Sequence, residues 1–180
     1  SNYTQMIALY RLGKYNLAHK KLSLIEKRYN EYPFFYEFKG DIHFKEGDFN
    51  IAINQYEKAI RSLQEAFNPS TDLIKFSLIK TYLQTDNNAN LNKSIILLEE
   101  LLLNNPNWSY LWRLLSKASG KLNKRGIAYI ALAEEALIKK NYIKAKKYVD
   151  LANKQSRLPI SYKLRGSDIL NKIKLKYKKK

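Results

Sequence analysis

The chain has 180 residues, with 33 Lys and Arg against 16 Asp and Glu, no Cys and two His, for a formal net charge of +17. That length buries a core without a metal or disulfide staple, and the lack of Cys excludes thiol catalysis, redox pairs and Cys-based zinc fingers. The charge is lopsided, because residues 1–100 carry 13 basic and 12 acidic side chains whereas residues 101–180 carry 20 and 4, a field that attracts nucleic acid, anionic lipid or acidic protein.

Ser1-Asn2-Tyr3 has neither an initiator Met nor a basic-then-apolar leader, so the chain is expected to be a fragment of a longer protein. No run approaches the ~18 apolar residues of a membrane span, since even Ile95 to Leu103 is broken by Glu99 and Glu100. Helical periodicity predicts ten helices, and no strand pattern competes.

The first two are expected at 3–11 and 15–30, joined by Gly13. The next two, at 33–46 and 49–65, repeat them: Gly13, Tyr15, Ala18, Leu22 and Ile25 recur 34 positions later as Gly47, Phe49, Ala52, Tyr56 and Ala59. Polar loops around Asn68 to Asp72 and Asp86 to Asn90 bracket a helix at 71–84. A helix at 91–104 then carries Ser94, Leu98 and Leu101, closed by Pro106. The helix at 107–121 carries Trp112-x-x-Leu115-Ser116 and stands outside the pairing, extending the stack. Helices at 125–139 and 142–155 bring the motif back: shifted by 93 residues, Tyr36, Gly40, Asp48, Phe49, Ala52, Tyr56 and Ala59 become Tyr129, Ala133, Asn141, Tyr142, Ala145, Val149 and Ala152. A last helix, 160–175, acts as a cap. Pro33, Pro106 and Pro159 suit first helical turns, and Asp48, Thr71 and Asn141 are expected N-caps.

A period near 34 residues is that of the tetratricopeptide repeat, or TPR. The expected fold is therefore all-α, a TPR-type α-solenoid of about ten antiparallel helices forming a single domain over 1–175, with 176–180 a basic frayed tail. Its repeat-defining core is Tyr36, Gly40, Phe49, Ala52, Tyr56, Ala59, Trp112, Leu115, Tyr129, Ala133, Tyr142 and Ala145: small residues let helices approach and large ones fill the gaps. The first helix of each unit lines a groove in such arrays. That points to Phe34, Glu37, Asp41 and Phe44, and to Ile127, Ile130, Glu134 and Leu137, as a partner-binding face of apolar and acidic residues. It suits a peptide with apolar anchors and positive charge, and Glu37 and Asp41 would repel a free carboxylate. The alternative reading is that the apolar members pack against neighbouring helices.

The second half, Trp112-Arg-Leu-Leu-Ser-Lys-Ala-Ser-Gly-Lys-Leu, Gly126-Ile-Ala-Tyr-Ile-Ala-Leu-Ala-Glu-Glu-Ala-Leu, Tyr142-x-x-Ala145 and Leu164-Arg-Gly-Ser-Asp168-Ile-Leu, resembles the C-terminal TPR region of BepA-like bacterial zinc metallopeptidases. The resemblance implies a parent with a signal peptide and an upstream HExxH zinc peptidase domain, working in the periplasm on outer-membrane protein quality control. It implies recruitment of substrate or outer-membrane assembly machinery, and contact with the parent's own protease domain. The chain departs from the family at Glu135 and Lys163. It has no HExxH, so no catalytic or metal residue carries over; zinc is expected in the parent's catalytic domain and no cofactor in this chain. Without that parent, a free-standing cytoplasmic TPR adaptor is expected.

Other candidates have plainer readings. His19 and His43 stand too far apart in sequence for a local metal motif, and His43 reads as a packing residue. Arg165 and Asp168, three apart, are expected to pair on the helix surface. Glu99-Glu100 and Glu134-Glu135 cannot share an acid/base site, because adjacent helical residues point about 100° apart. Lys139, Lys140, Lys144, Lys146, Lys147 and Lys154 cluster without an evident stacking platform. Lys outnumbers the Arg that planar phosphate recognition favours, so nucleic acid ranks below protein as a partner, with an anionic membrane surface as a further alternative.

Overall fold

The computed structural model describes residues 2–29, 32–65 and 71–177. Among these the chain is all-helical: α1 (Asn2–Arg11), α2 (Tyr15–Tyr29), α3 (Pro33–Glu46), α4 (Phe49–Glu65), α5 (Asp72–Tyr82), α6 (Asn88–Asn104), α7 (Ser109–Lys121), α8 (Arg125–Ile138), α9 (Tyr142–Asn153) and α10 (Ile160–Tyr177). It divides into two compact units, Ser1–Thr85 and Asp86–Lys180. No helix among the described residues is long and apolar enough to cross a membrane.

Helix ends explain the spacing of the elements. α1, α3, α7 and α8 all close on a residue in the left-handed region: Gly13, Gly47, Asn123 and Lys140. At each, the N–H of that residue donates to a carbonyl three back, and the next N–H donates to one five back, as in Lys14 to Leu9 and Asp48 to His43. This double bond pattern satisfies the last carbonyls and turns the chain sharply. Glycine meets the positive φ without strain at 13 and 47, so the 34-residue recurrence is a recurrence of turns.

In the first unit α1 packs on α2, α2 on α3, α3 on α4 and α4 on α5, and α3 also touches α5. Met6, Ala18, Leu22, Ile25, Phe35 and Ile42 form a core that joins α1, α2 and α3. Ala52, Tyr56 and Ala59 are buried on α4. Gly40 lets α4 in: a Cβ there would lie 2.6 Å from the Tyr56 ring. Among consecutive helices of this unit, the α2–α3 joint is the thinnest.

In the second unit α8 packs on α7, α9 and α10. α7 lies against both α6 and α8, the neighbour-on-neighbour packing by which a helix outside the repeat pairing extends the stack. Trp112, Leu115, Ala133 and Ala145 are buried as expected, whereas Tyr36, Phe49, Tyr129 and Tyr142 are only half-buried and sit at core edges. Gly166 brings α10 onto α8, since a Cβ there would lie 3.1 Å from Ile130 Cδ1 and 3.2 Å from Val149 Cγ1.

Several ends differ from expectation for local reasons. α6 begins three residues early because the Asn87 side chain accepts from the Ala89 and Asn90 N–H groups at 2.8 and 3.1 Å. Asn141 caps α9 through Lys144 N–H, whereas the Thr71 side chain makes no capping bond. Pro33 opens α3, and the Pro159 carbonyl accepts from Tyr162 and Lys163. Pro106 lies outside α7, where its carbonyl accepts the Trp112 indole N–H at 2.8 Å. Lys176 and Tyr177 belong to α10 rather than to a frayed tail. Residues 178–180, and 66–70 of the expected loop, lie outside the described residues.

Candidate functional site

On α3 the residues Phe34, Glu37, Asp41 and Phe44 recur at helical spacing along one face. Phe34 is 60 % exposed; Glu37, Asp41 and Phe44 are half-buried, with Phe44 edge-on to Phe49 at 5.7 Å. The Tyr56 hydroxyl donates to Asp41 Oδ1 at 2.7 Å. Burial pushes the Glu37 carboxyl above its ordinary range, and the neighbouring Asp41 adds to this. Burial also raises Asp41, against the opposing pull of the Tyr56 hydrogen bond and of Lys80 and Lys45. Tyr10 of α1 is pushed up to about 12 by burial and then by Asp41 and Tyr15. Two carboxylates are thus held where their charged forms are under-solvated.

The matching positions on α8 fare differently. Ile130 is fully buried and touches the place where Gly166 admits α10, so it packs the core rather than facing a partner. Glu134 is buried and bonded to Arg165 of α10 at 3.0 Å. The helix expected as a terminal cap covers this face. Ile127 stays half-buried in an open cleft of about 680 Å³ shared with Lys124, Arg125 and Arg157, and Leu137 is half-buried.

Arg165 therefore serves α8 and not the expected Asp168: besides Glu134, its guanidinium lies 4.9 Å over the Trp112 ring. Glu135 is buried against Arg113, at 2.5 Å, and Lys139, at 2.5 Å. Burial alone would raise its carboxyl, but the hydrogen bonds from those two cations hold it below the ordinary range. The twin glutamates thus point to separate partners, as adjacent helical residues must. The Tyr162 hydroxyl donates to Glu99 of α6, beside a cavity of about 260 Å³ lined in part by Leu102, Trp112 and Arg165.

The six clustered lysines, in the α8–α9 turn, on α9 and just after it, are exposed. Lys139 is committed to Glu135 and Lys146 to Asp150. Beside them Tyr129 and Tyr148 stack with centroids 6.3 Å apart, and Lys144 Nζ lies 5.8 Å from the Tyr148 ring. This small aromatic platform escaped the sequence reading.

A third arrangement escaped it as well. His19 of α2 and His43 of α3 meet edge to face with centroids 5.0 Å apart, and Glu46 Oε2 stands 3.7 Å from His19 Nδ1 and 3.4 Å from His43 Nδ1. Both Nδ1 atoms are buried with no hydrogen-bond partner in the protein, a cost of roughly 1–3 kcal/mol each. The signal lay in the hairpin: each His is twelve residues from Glu31, the middle of the expected turn, so an antiparallel pair brings them level. Compared with models of known protein families and with curated proteins, the chain matches none.

Proposed function

We propose that the chain is a protein-interaction module of the TPR type, an α-solenoid whose α3 face takes a protein segment carrying apolar anchors and a positive charge. The observation that carries this reading is the half-buried pair Glu37 and Asp41, both displaced toward protonation, next to the exposed Phe34. An incoming Lys or Arg would stabilise their charged forms, and Phe34 offers an apolar contact. The 34-residue recurrence of turns, the sequential helix packing and the extra contacts of α3 with α5 and α8 with α10 support the solenoid.

Extended peptides alternating Lys or Arg with Leu or Phe, labelled for fluorescence anisotropy, test the reading. Binding should weaken about tenfold or more in the double variant Glu37→Gln/Asp41→Asn, since an unmatched charge across an interface is costly, and should also fall in Phe34→Ala. Undiminished binding in both variants would sink the assignment. The resemblance supports placing the module as the non-catalytic C-terminal array of a periplasmic zinc metallopeptidase, recruiting substrate or outer-membrane assembly partners. An HExxH-bearing domain encoded upstream of Tyr3 is the outcome that reading requires; a reading frame without one favours a free-standing adaptor.

The Tyr129–Tyr148 stack with its lysines favours a second reading, a basic helical-repeat surface for RNA or anionic membrane. Such binding should fall steeply between low and moderate salt, whereas peptide held on α3 should respond less.

A further inference from the structure

His19, His43 and Glu46 come from two helices, and the α3–α4 turn adds Asp48, whose Oδ2 lies 3.6 Å from His43 Nδ1. His19, His43 and Glu46 each offer a ligand atom within 4.8 Å of the others. Ligands on one tetrahedral zinc, each at 2.0–2.2 Å, stand about 3.4 Å apart, close to the 3.4–3.7 Å that separate Glu46 from the two imidazoles. His43 is 8 % exposed, and its Nδ1, like that of His19, faces the cluster with no partner from the protein. Spacing from Glu46 beyond hydrogen-bond length leaves these nitrogens unsatisfied among themselves, and a cation between them would satisfy all three groups together. The cluster opens onto a cleft of about 1000 Å³ bordered by Gly13, Asn16 and Asp48, which gives an ion a route in.

We propose that His19, His43 and Glu46 bind a divalent transition metal, zinc fitting best, with Asp48 or water as the fourth ligand. Two imidazoles exclude the hard cations that prefer oxygen alone, and two carboxylates neutralise a dication. The ion would bridge α2 and α3, the thinnest joint between consecutive helices of the first unit. Its role there is a staple between helix hairpins, independent of whichever partner α3 takes.

The test is titration of the full chain with Zn2+ alone, by calorimetry and by competition with a chromophoric chelator, alongside His19→Gln and Glu46→Gln. Both positions retain solvent exposure, 42 % and 18 % for the side chains, so the variants should fold, which far-UV circular dichroism checks; His43→Asn is a supporting variant because it alters the core. One zinc per chain is expected, with affinity reduced about tenfold or more in each variant and with a Co2+ visible spectrum that His19→Gln abolishes. Failure of the parent protein to bind Zn2+ at ~10–100 µM, or one-to-one binding unchanged in both variants, overturns the proposal.

Discussion

Asp41 shows how one residue can tie stability to recognition. Its carboxyl is raised in the fold chiefly by burial, so its contribution to stability is complete below the unfolded carboxylate value of ~3.9 and is lost as pH rises through the raised one. Asp41→Asn keeps an acceptor for the Tyr56 hydroxyl and carries no charge to desolvate. Thermal melts should therefore show the variant gaining on the parent between about pH 4 and pH 7; a difference that is flat with pH, or that grows against the variant, would remove the charge penalty from the account. At this scale the sequence was only partly legible. Glu37 and Asp41 were found on their face by helical spacing, because neighbours on one helix are a local property. The partners of Arg165 were not, because Glu134 and Trp112 reach it from α8 and α7. The pairing of His19 and His43 is hidden by their separation along the chain, because it depends on their level across the α2–α3 hairpin.

At the scale of elements, periodicity and turn residues placed all ten helices within about three residues of where they lie. The largest error came from side-chain capping: Asn87, Asn88 and Asn90, three asparagines within four residues, read as loop, yet Asn87 caps the start of a helix. Close approach was legible as small residues, and it can be weighed. Gly40→Ala would set a methyl 2.6 Å from the Tyr56 ring, a ring that is 2 % exposed and anchored to Asp41. The overpacking cost of ~1–3 kcal/mol should exceed the ~1 kcal/mol gained in helix propensity. Gly120→Ala, with nothing within 4 Å of the added Cβ, should instead stabilise by ~0.5–1 kcal/mol. Urea denaturation of the two variants gives opposite signs if the Gly40 contact governs, and like signs if propensity alone does.

Over the whole molecule, the all-helical class was readable because the repeat is local, while the division at Thr85 and Asp86 was not, since no Gly- or Pro-rich linker marks it. The charge is divided as well: most of the basic excess lies beyond residue 100, and the acidic face on α3 belongs to the other unit. Within that first unit, helix joints are unequal, and the α2–α3 joint is the thinnest between consecutive helices. Proteins open in cooperative pieces whose free energies follow such differences. Amide hydrogen exchange of the metal-free chain should accordingly find the protected amides of α1 and α2 exchanging together, at a common opening free energy below that of α3 and α4. One shared value for all four helices would mean that the hairpin has no independent life. If it does, the α1–α2 hairpin is a door on a hinge, and proteolysis would begin there while α3 and α4 stay closed.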